Sequence, residues 1–294
     1  MFKFQFDKPA QEESFEYTIS DSLVQPSFYS IEKWKSRQPR ISYTFNEELV
    51  FRDLFDIKYE LMAKEQLSDE EKLLLEDTED VKQHVYEGGL KVWEGTTDLL
   101  ALVKAMPVPT NTMELGCGAG LPLCSLLYKS LVNAQPGKFV FADYNVSVLE
   151  LLTVPNVILT WLATQNKLEQ PHGEIILSSE LVDEMVADLH ARNIEIQFVS
   201  GCWSQKFEQL VGTDFDLVLA SETIYSMEYL PNFTNLLLNS LKSGGKALVA
   251  AKKMYFGVGG GVVEFELMLD ARKANYTTVL DVGQVGRVVL EVSK

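Results

Sequence analysis

A glycine-rich turn between a strand and a helix is the feature that most constrains the fold of this chain. The run Asn111-Thr-Met-Glu-Leu has the character of a short buried strand, and it leads directly into Gly116-Cys-Gly-Ala-Gly. Residues 121–130 then have the composition of an apolar helix. Glycines let the backbone turn sharply and approach a ligand closely, and the start of a helix offers free N–H groups. The motif therefore predicts the first strand–helix unit of an open α/β sheet, with a ligand-binding loop at the carboxyl end of the strand.

The spacing of these glycines predicts the class of ligand. A dinucleotide fingerprint has the form G-x-G-x-x-G, whereas the third glycine here comes one residue earlier, at Gly120, and Leu121 follows it. We interpret the tighter turn as the form that binds S-adenosylmethionine, with Gly116 and Gly118 against the cofactor, and we expect NADH not to bind. A glycine-rich turn that only connects a strand to a helix is the structural alternative.

Strands and helices alternate from about residue 81 to the end of the chain. After the glycine turn, apolar runs predict strands at 138–142, 194–199, 215–220 and 246–251, and a closing strand pair at 277–281 and 287–292. Helices are predicted at 146–165 with an interruption at Pro155, at 178–191, at 229–241 with a stop signal at Gly244-Gly245, and at 262–274. This order predicts a mostly parallel sheet with helices on both faces.

Three further motifs follow predicted strands, where functional residues of open α/β sheets lie. A carboxylate at Asp143 has two oxygens that can accept hydrogen bonds from the two hydroxyls of a ribose, although a helix cap is the simpler role. Trp203 offers either a flat surface for adenine or a core side chain. Glu222 and Tyr225 are candidates to orient an incoming nucleophile and to accept its proton, with a capped helix start as the alternative.

The first 80 residues differ in composition from the rest, with 19 acidic and 10 basic residues. Alternating aromatics at Phe2, Phe4 and Phe6 predict a strand, and Ser68 followed by acidic residues predicts the start of a helix. We interpret residues 1–80 as an acidic arm that is extended or partly ordered, and residues 81–294 as the functional domain. We therefore expect the domain to fold without residues 1–60.

Charge and composition exclude several classes of function. The net charge of −16 makes free nucleic acid a poor partner and suits a basic protein. The N-terminus does not resemble a secretory signal, and we expect no stretch of about 18 apolar residues such as a membrane helix needs. The three cysteines and three histidines do not have metal-ligand spacing. These features predict an intracellular protein without a membrane segment or a metal. We also expect a monomer, although the sequence by itself does not give the oligomeric state.

Several motifs taken together resemble the protein-histidine methyltransferases. They are Tyr86-Glu-Gly-Gly-Leu-Lys-Val-Trp-Glu-Gly-Thr, the glycine turn, Asp143-Tyr-Asn, Gly201-Cys-Trp, Ser221-Glu-Thr-Ile-Tyr and Lys253-Met-Tyr-Phe-Gly-Val-Gly-Gly-Gly. The resemblance covers about residues 81–294. It is strongest to the eukaryotic branch that methylates a histidine of a large-subunit ribosomal protein.

The resemblance implies a Rossmann-like class I methyltransferase with a seven-stranded, mostly parallel sheet that ends in an antiparallel hairpin. It also implies S-adenosylmethionine as the cofactor, the tele nitrogen of a histidine as the acceptor, and a cytoplasmic and nuclear location. The family's cofactor pocket corresponds to Val92, Trp93, Glu94, Gly95, Thr96, Gly116, Asp143, Tyr144, Asn145, Gly201, Cys202, Trp203 and Ser221. The chain departs from the family at Gly95, where Cys is usual, and at Cys202, which replaces an acidic residue. Met113-Glu114 stands where Leu-Asp is common.

The chemistry of histidine methylation assigns a role to the remaining candidates. A neutral imidazole attacks through the nitrogen that carries the lone pair, so the N–H of the other ring nitrogen must be held. Glu222 and Tyr225 are the candidates for this role. Three alternatives remain at this point: a lysine methyltransferase of the same superfamily, a non-catalytic module that keeps the cofactor pocket, and a small-molecule methyltransferase.

Overall fold

The computed structural model describes residues 17, 24–46, 49–64, 66–68, 71–72, 75, 88–255, 259–283 and 286–294. The predicted strand at Phe2, Phe4 and Phe6 lies outside these residues, as do residues 86–87 and 256–258 of the family motifs. The helix start predicted at Ser68 is confirmed by a reciprocal pair of hydrogen bonds. The Ser68 hydroxyl accepts from the Glu71 N–H at 3.1 Å, and the Glu71 carboxylate accepts from the Ser68 N–H at 3.0 Å.

The main sheet has eight strands within the described residues, in the spatial order β1-β7-β5-β4-β8-β9-β11-β10. Its strands are β1 (Ser27–Tyr29), β4 (Asn111–Leu115), β5 (Gly137–Asp143), β7 (Ile194–Ser200), β8 (Phe215–Ser221), β9 (Leu241–Lys252), β10 (Asn275–Val282) and β11 (Arg287–Ser293). The five central strands are parallel, and β11 and β10 form the antiparallel hairpin. Seven strands were predicted. The eighth is β1, which comes from the N-terminal segment and pairs antiparallel with β7.

The order of the strands reverses at β4, which has β5 on one side and β8 on the other. The chain therefore leaves β4 and β8 towards opposite edges of the sheet, and the loops at their carboxyl ends diverge. Such a topological switch point leaves a crevice in which open α/β sheets bind their ligands. The glycine turn follows β4 directly, so the fold brings it to this crevice.

Helices cover both faces of the sheet. They are α1 (Ile31–Lys35), α2 (Leu54–Met62), α3 (Glu94–Ala105), α4 (Leu121–Val132), α5 (Val146–Thr164), α6 (Ser179–Ala191), α7 (Gln205–Val211), α8 (Leu230–Ser240) and α9 (Val262–Ala271). Phe139 and Phe141 of β5 point to the core under α3–α6, whereas Val140 and Ala142 point to the core under α7–α9. This alternation is the period of two that a strand buried on both faces requires.

Helix α5 contradicts two sequence expectations. The helix continues past Pro155, because a π turn at Leu149–Thr153 precedes it and the Val154 N–H bonds to the carbonyl of Leu149. The helix is 19 residues long and its most apolar 18-residue stretch has a mean hydropathy of 1.7, so by length and composition it is apolar enough to cross a membrane. The expectation that the chain has no such stretch was therefore wrong. In the structure 89% of the most apolar stretch is buried inside the protein, as in the core helix of a folded domain.

The N-terminal segment packs into the domain. A second, antiparallel sheet has the order β3-β2-β6, where β2 is Arg40–Asn46, β3 is Leu49–Arg52 and β6 is His172–Ile176. Strand β6 was not predicted, because residues 166–193 read as an excursion with one helix. The side chains of Trp34, Ile41 and Ile57 are fully buried. These contacts argue against the expectation that residues 1–60 are dispensable for folding.

Two predicted helix ends differ from the structure. Helix α8 ends at Ser240, and β9 begins at the next residue, so Gly244-Gly245 lie within a strand instead of stopping the helix. Gly244 has a left-handed φ of +76° at an irregularity in the pairing of β8 with β9. Helix α9 ends at Ala271, three residues before the predicted end, with Lys273 in a left-handed conformation just beyond it.

Candidate active site

A cleft opens at the carboxyl ends of β4, β5, β7 and β8. It encloses about 890 Å³, counting the space at its mouth that is open to solvent. Its walls are formed by Gly88, Gly89, Lys91, Val92, Trp93, Thr96, Gly116, Cys117, Gly118, Ala119, Asp143, Tyr144, Gly201, Cys202, Trp203, Ser221, Glu222, Thr223, Tyr225, Tyr229 and Asn232.

The glycine turn needs its glycines for both conformation and space. Gly116, Gly118 and Gly120 all have left-handed φ values, of +62°, +50° and +66°, which side chains rarely adopt. A Cβ at Gly118 would lie 2.7 Å from the carbonyl oxygen of Gly89, and one at Gly120 would lie 2.9 Å from the ring of Phe141. The turn therefore packs closely against Gly89 on one side and Phe141 on the other, and its backbone forms part of the cleft wall.

Glu114 holds the helix that follows the turn. Its carboxyl group is buried and accepts a hydrogen bond of 3.0 Å from the N–H of Leu123, in the first turn of α4. Burial, with a smaller contribution from the negative charge of Asp143, raises the pKa of Glu114 to about 8, against the effect of the hydrogen bond from the Leu123 N–H. A proton on Glu114 is thus favoured in the folded protein at neutral pH. The side chain acts as a helix cap that need not carry a charge.

Replacement of Glu114 with Gln is expected to stabilise the protein relative to wild type at pH 8, but less so at pH 5. A carboxyl group whose pKa is raised by folding contributes stability below its unfolded pKa, and this contribution is lost as pH rises through about 8. Gln keeps the acceptor for Leu123 without titrating. Urea unfolding of both proteins at pH 5 and pH 8 measures the difference. Glu114→Ala, which leaves the Leu123 N–H unpaired, should be about 1–3 kcal/mol less stable than Glu114→Gln at both pH values, because neither variant titrates.

Asp143 lies at the end of β5 and joins two loops of the cleft. One carboxylate oxygen accepts from the Gly118 N–H at 2.9 Å, and the other accepts from the Asn145 N–H at 3.1 Å. Burial raises the pKa of Asp143 to about 6, against the effect of these backbone donors. The backbone of Tyr144 is a third donor to this carboxylate, and because a carboxylate offers about four acceptor sites, capacity remains for a ligand hydroxyl.

The N-terminal segment closes the end of the cleft beyond β7. Gly201 has a φ of +117°, and a Cβ there would lie 2.5 Å from the Cα of Pro26. The Cys202 N–H donates to the carbonyl of Val24 at 2.9 Å. Trp203 both lines the cleft and packs on Phe233, with 5.1 Å between ring centroids. Its two roles, ligand surface and core side chain, are therefore compatible.

The opposite wall is built from the start of α3 and the end of β8. Val92, Trp93 and Thr96 line the cleft, and the hydroxyl of Thr96 lies 3.2 Å from the hydroxyl of Ser221. The ammonium group of Lys91 lies 4.5 Å from the centre of the Trp93 ring. This wall therefore combines an aromatic surface with two hydroxyl groups that can bond a polar ligand.

Three of the described residues predicted for the cofactor lie off the cleft wall: Glu94, Gly95 and Asn145. Glu94 forms an ion pair with Lys252, at 3.3 Å. Gly95 donates its N–H to Glu222, and Asn145 donates its N–H to Asp143. Gly95 and Asn145 thus support wall residues through backbone hydrogen bonds, and the structure brings the other predicted residues together around the cleft.

Glu222 and Tyr225 follow β8 and lie on the cleft wall. Glu222 has a left-handed φ of +57° and is buried. One carboxylate oxygen accepts from the Gly95 N–H at 3.1 Å, and the other accepts from the hydroxyl of Tyr255. Burial raises the pKa of Glu222, while the hydrogen bond from Tyr255 and the charge of Lys252 act in the opposite direction.

Sequence reasoning missed part of this wall. Tyr229 and Asn232 reach the cleft from the start of α8, and nothing in their local pattern distinguishes them from other residues of a helix start. Tyr255 belongs to a quoted family motif, but it had no assigned role. Its position just after β9 was the available signal, since functional residues follow the carboxyl ends of parallel strands. Within the described residues, no group of three or more His, Cys, Asp or Glu side chains is placed to hold a metal ion.

Comparison with known proteins gives the family. No family model matches the chain. Histidine protein methyltransferase 1 of Schizosaccharomyces pombe is 37% identical over 286 aligned residues, which cover 90% of this chain and 83% of that protein. The protein of the same name from Saccharomyces cerevisiae is 36% identical over 262 residues, covering 77% of this chain and 70% of that protein. The crystal structure of a SAM-dependent methyltransferase from Aquifex aeolicus superposes with a TM-score of 0.39 at 16% identity, over 77% of this chain and 98% of that one. On the strength of the two fungal relatives, this chain belongs to the histidine protein methyltransferase family.

Proposed function

We propose that the protein transfers a methyl group from S-adenosylmethionine to the tele nitrogen of a histidine in a protein, and that this protein is a component of the large ribosomal subunit. The observation that carries the proposal is the cleft itself. At the switch point of the sheet, the walls of the cleft include the glycine turn and the carboxylates of Asp143 and Glu222. The first two are suited to a nucleoside with a charged tail, and the third is suited to an acceptor ring.

The residues of the cleft fit S-adenosylmethionine. At Gly116 a Cβ would lie 2.8 Å from the methyl carbon of Thr223, so a side chain there would crowd Thr223, and the bare backbone of Gly116 forms part of the cleft wall. Asp143 keeps acceptor capacity for ribose hydroxyls, and Trp203 offers an apolar surface for adenine. Cys202 replaces the acidic residue usual in the family, so we assign no side-chain hydrogen bond to adenine at this position. When bound, the cofactor supplies an electrophilic methyl group on a sulfonium sulfur.

The acceptor side needs orientation more than activation. A neutral imidazole already has a lone pair on one nitrogen, and aligning it with the methyl group is a problem of proximity. Glu222 accepts the N–H of the other ring nitrogen and so selects the reactive tautomer. After transfer the ring is a cation, and its N–H proton passes to Glu222 or to water. The raised pKa of this carboxyl group suits it to receive the proton.

The charge of the protein supports a basic protein substrate. With 42 acidic and 26 basic residues, the surface attracts basic segments and repels free nucleic acid. A substrate of the ribosome would also account for a cytoplasmic and nuclear location. We expect the enzyme to act as a monomer.

The experiment that tests the proposal identifies the modified amino acid. The protein is incubated with methyl-labelled S-adenosylmethionine and proteins extracted from large ribosomal subunits that lack the modification. The labelled band is then hydrolysed, and its amino acids are separated. Label in tele-methylhistidine supports the proposal. Label in methyllysine would point to the lysine alternative, and cofactor binding without transfer would point to a non-catalytic module.

Replacement of Asp143 with Ala is expected to weaken S-adenosylmethionine binding by about 1.5–3 kcal/mol, the range for a lost hydrogen bond to a charged group. This corresponds to a loss of roughly 10- to 150-fold in affinity. Calorimetry measures the change. In the wild type, affinity should also fall below pH 6, because the pKa of Asp143 is about 6 and protonation removes acceptor sites. Wild-type affinity in the Ala variant would contradict the ribose assignment.

A further inference from the structure

The carboxylate of Glu222 is held in an unusual conformation. Its backbone has a φ of +57°, a region in which long side chains are uncommon and which costs free energy unless the surroundings impose it. The Glu222 N–H donates to the carbonyl of Ala250 in β9 at 2.8 Å, which fixes the backbone. The side chain is then fixed separately, by one donor on each oxygen.

Gly95 supplies the first donor and also the space. It is the second residue of α3, where helix N–H groups have no partner within the helix. The side chain of the N-cap residue, Trp93, cannot accept a hydrogen bond. Instead, the side chain of Glu222, which follows β8, caps the start of α3. A Cβ at Gly95 would lie 2.7 Å from the carboxylate oxygen Oε1. The glycine that departs from the family's usual Cys is therefore the residue that admits Glu222 to this position.

Tyr255 supplies the second donor. Its hydroxyl donates to Oε2 of Glu222, and the hydroxyl oxygen accepts from the Lys252 N–H at 3.2 Å. Burial and the neighbouring carboxylate raise the pKa of Tyr255, so it remains a proton donor at every physiological pH. The Tyr255 N–H donates to Gly260, and the Gly260 N–H donates to the carbonyl of Tyr225. The tyrosine is thus fixed to the loop that borders the cleft.

The charges around Glu222 are nearly balanced. From β9, Lys252 favours the ionised carboxylate, and from α3, Glu94 opposes it. These two side chains also form an ion pair with each other. From β11, Arg287 is paired with Asp98 at 2.6 Å. Burial has the largest effect on the pKa of Glu222 and opposes ionisation, and among the contacts that favour the ionised form the hydrogen bond from Tyr255 has the largest effect.

We propose that Tyr255 is a positioning residue for methyl transfer, which together with Gly95 holds the Glu222 carboxylate so that its remaining acceptor sites receive the N–H of the acceptor imidazole. This inference rests on the proposed function. Tyr255 itself does not contact the substrate in this proposal. The hydroxyl acts through Glu222, by fixing its oxygens and by keeping it ionised over the pH range in which a neutral imidazole reacts.

Tyr255→Phe is the direct test, assayed with methyl-labelled cofactor and the extracted large-subunit proteins. We expect kcat/KM for the acceptor to fall by about tenfold or more, the effect of one lost hydrogen bond to a charged group. The acid limb of the pH profile, which the acceptor imidazole sets in the wild type, should move to higher pH in the variant, because Glu222 loses a donor and its ionisation then becomes limiting. Cofactor affinity should stay within about twofold, because Tyr255 does not line the cleft. Tyr276→Phe, on β10 at the far edge of the sheet, is the matched control and should change none of these values.

Gly95→Ala is a second test, because its result does not depend on whether Tyr255→Phe destabilises the protein. Alanine is a better helix residue than glycine, and the atom it would displace is the end of a flexible side chain. We expect an unchanged or higher melting temperature together with a lower kcat. A structural role for Tyr255 predicts the reverse pattern: a lower melting temperature in Tyr255→Phe, an unmoved acid limb, and full activity in Gly95→Ala.

The same measurements separate this inference from the proposed function. Transfer to histidine by the wild type, with full rate and an unmoved acid limb in both variants, would overturn the role of Tyr255 alone. Absence of transfer to histidine by the wild type would overturn the proposed function, and this inference with it.

Discussion

A chain that begins at residue 63 is expected to lose cooperative folding. The segment that is removed buries Trp34, Ile41, Ile57 and Leu61 completely. At roughly 1.5–3 kcal/mol for each buried apolar side chain, these four residues alone approach the 5–15 kcal/mol by which a typical domain is stable. A thermal melt followed by circular dichroism should show no sharp transition in the truncated chain.

Polar groups add to the expected loss. The buried amide of Asn156 accepts from the Arg52 N–H at 2.8 Å, and the carbonyl of Leu151 accepts from the Arg52 guanidinium at 2.8 Å. The Trp34 indole donates to the carbonyl of Glu150 at 2.8 Å. Truncation leaves these three acceptors on α5 without their partners, and α5 lies in the centre of one core.

Point variants separate this effect from general damage. Trp34→Ala in the full chain should cost about 3–5 kcal/mol, as large-to-small changes in a core do. Val132→Ala, at an exposed position on α4, should stay within about 0.5 kcal/mol of wild type. A truncated chain that melts cooperatively near the wild-type temperature would mean that the first 62 residues are indeed dispensable.

The pH dependence of kcat/KM is expected to distinguish a histidine acceptor from a lysine acceptor. An unperturbed imidazole has a pKa near 6.5 and a lysine ammonium one near 10.4, and only the neutral forms have a lone pair for the methyl group. At saturating cofactor, the rate with histidine should rise from pH 5.5, level off by about pH 7.5 and stay flat to pH 9. A lysine acceptor with an ordinary pKa would gain roughly 30-fold between pH 7.5 and 9.

Glu222 is the group that could imitate the acid limb, because burial raises its pKa above the ordinary value of a carboxyl group. Glu222→Gln is therefore the control. A limb that persists near pH 6.5 in this variant belongs to the acceptor, whereas a limb that disappears belonged to Glu222. A profile that still climbs nearly tenfold per unit above pH 8 would count against histidine. Saturating cofactor is required because Asp143, with a pKa of about 6, would otherwise add its own limb through binding.

The local pattern of the chain was sufficient for the seven strands predicted after residue 81 and for the turn that follows β4. Runs such as 138–142 and 215–220 are apolar on both faces, which is typical of parallel strands buried between two layers of helices. The left-handed glycines and the acids at strand ends are also local signals. The sequence alone was therefore enough to assign Asp143 and Glu222 to the same cleft.

The contacts that complete the site join segments far apart in the chain. Gly95 and Glu222 are 127 residues apart, and Val24 and Tyr144 are 120 residues apart. No periodicity or spacing predicts such pairs, because each depends on where the packing of the sheet brings two loops. The same limit explains why β1 and β6 were missed. They are short strands that pair only with residues distant in the sequence.

The sequence by itself determined seven strands of the main sheet, the glycine turn and the acids that follow the strands, because these depend on hydrophobic period and on backbone conformations that few residues adopt. The tertiary structure decided three further points: that the N-terminal segment is part of the core, that Glu94, Gly95 and Asn145 lie off the cleft wall, and that Tyr255 directs Glu222. Each of these depends on distances between side chains and loops that only the complete packing of the chain establishes.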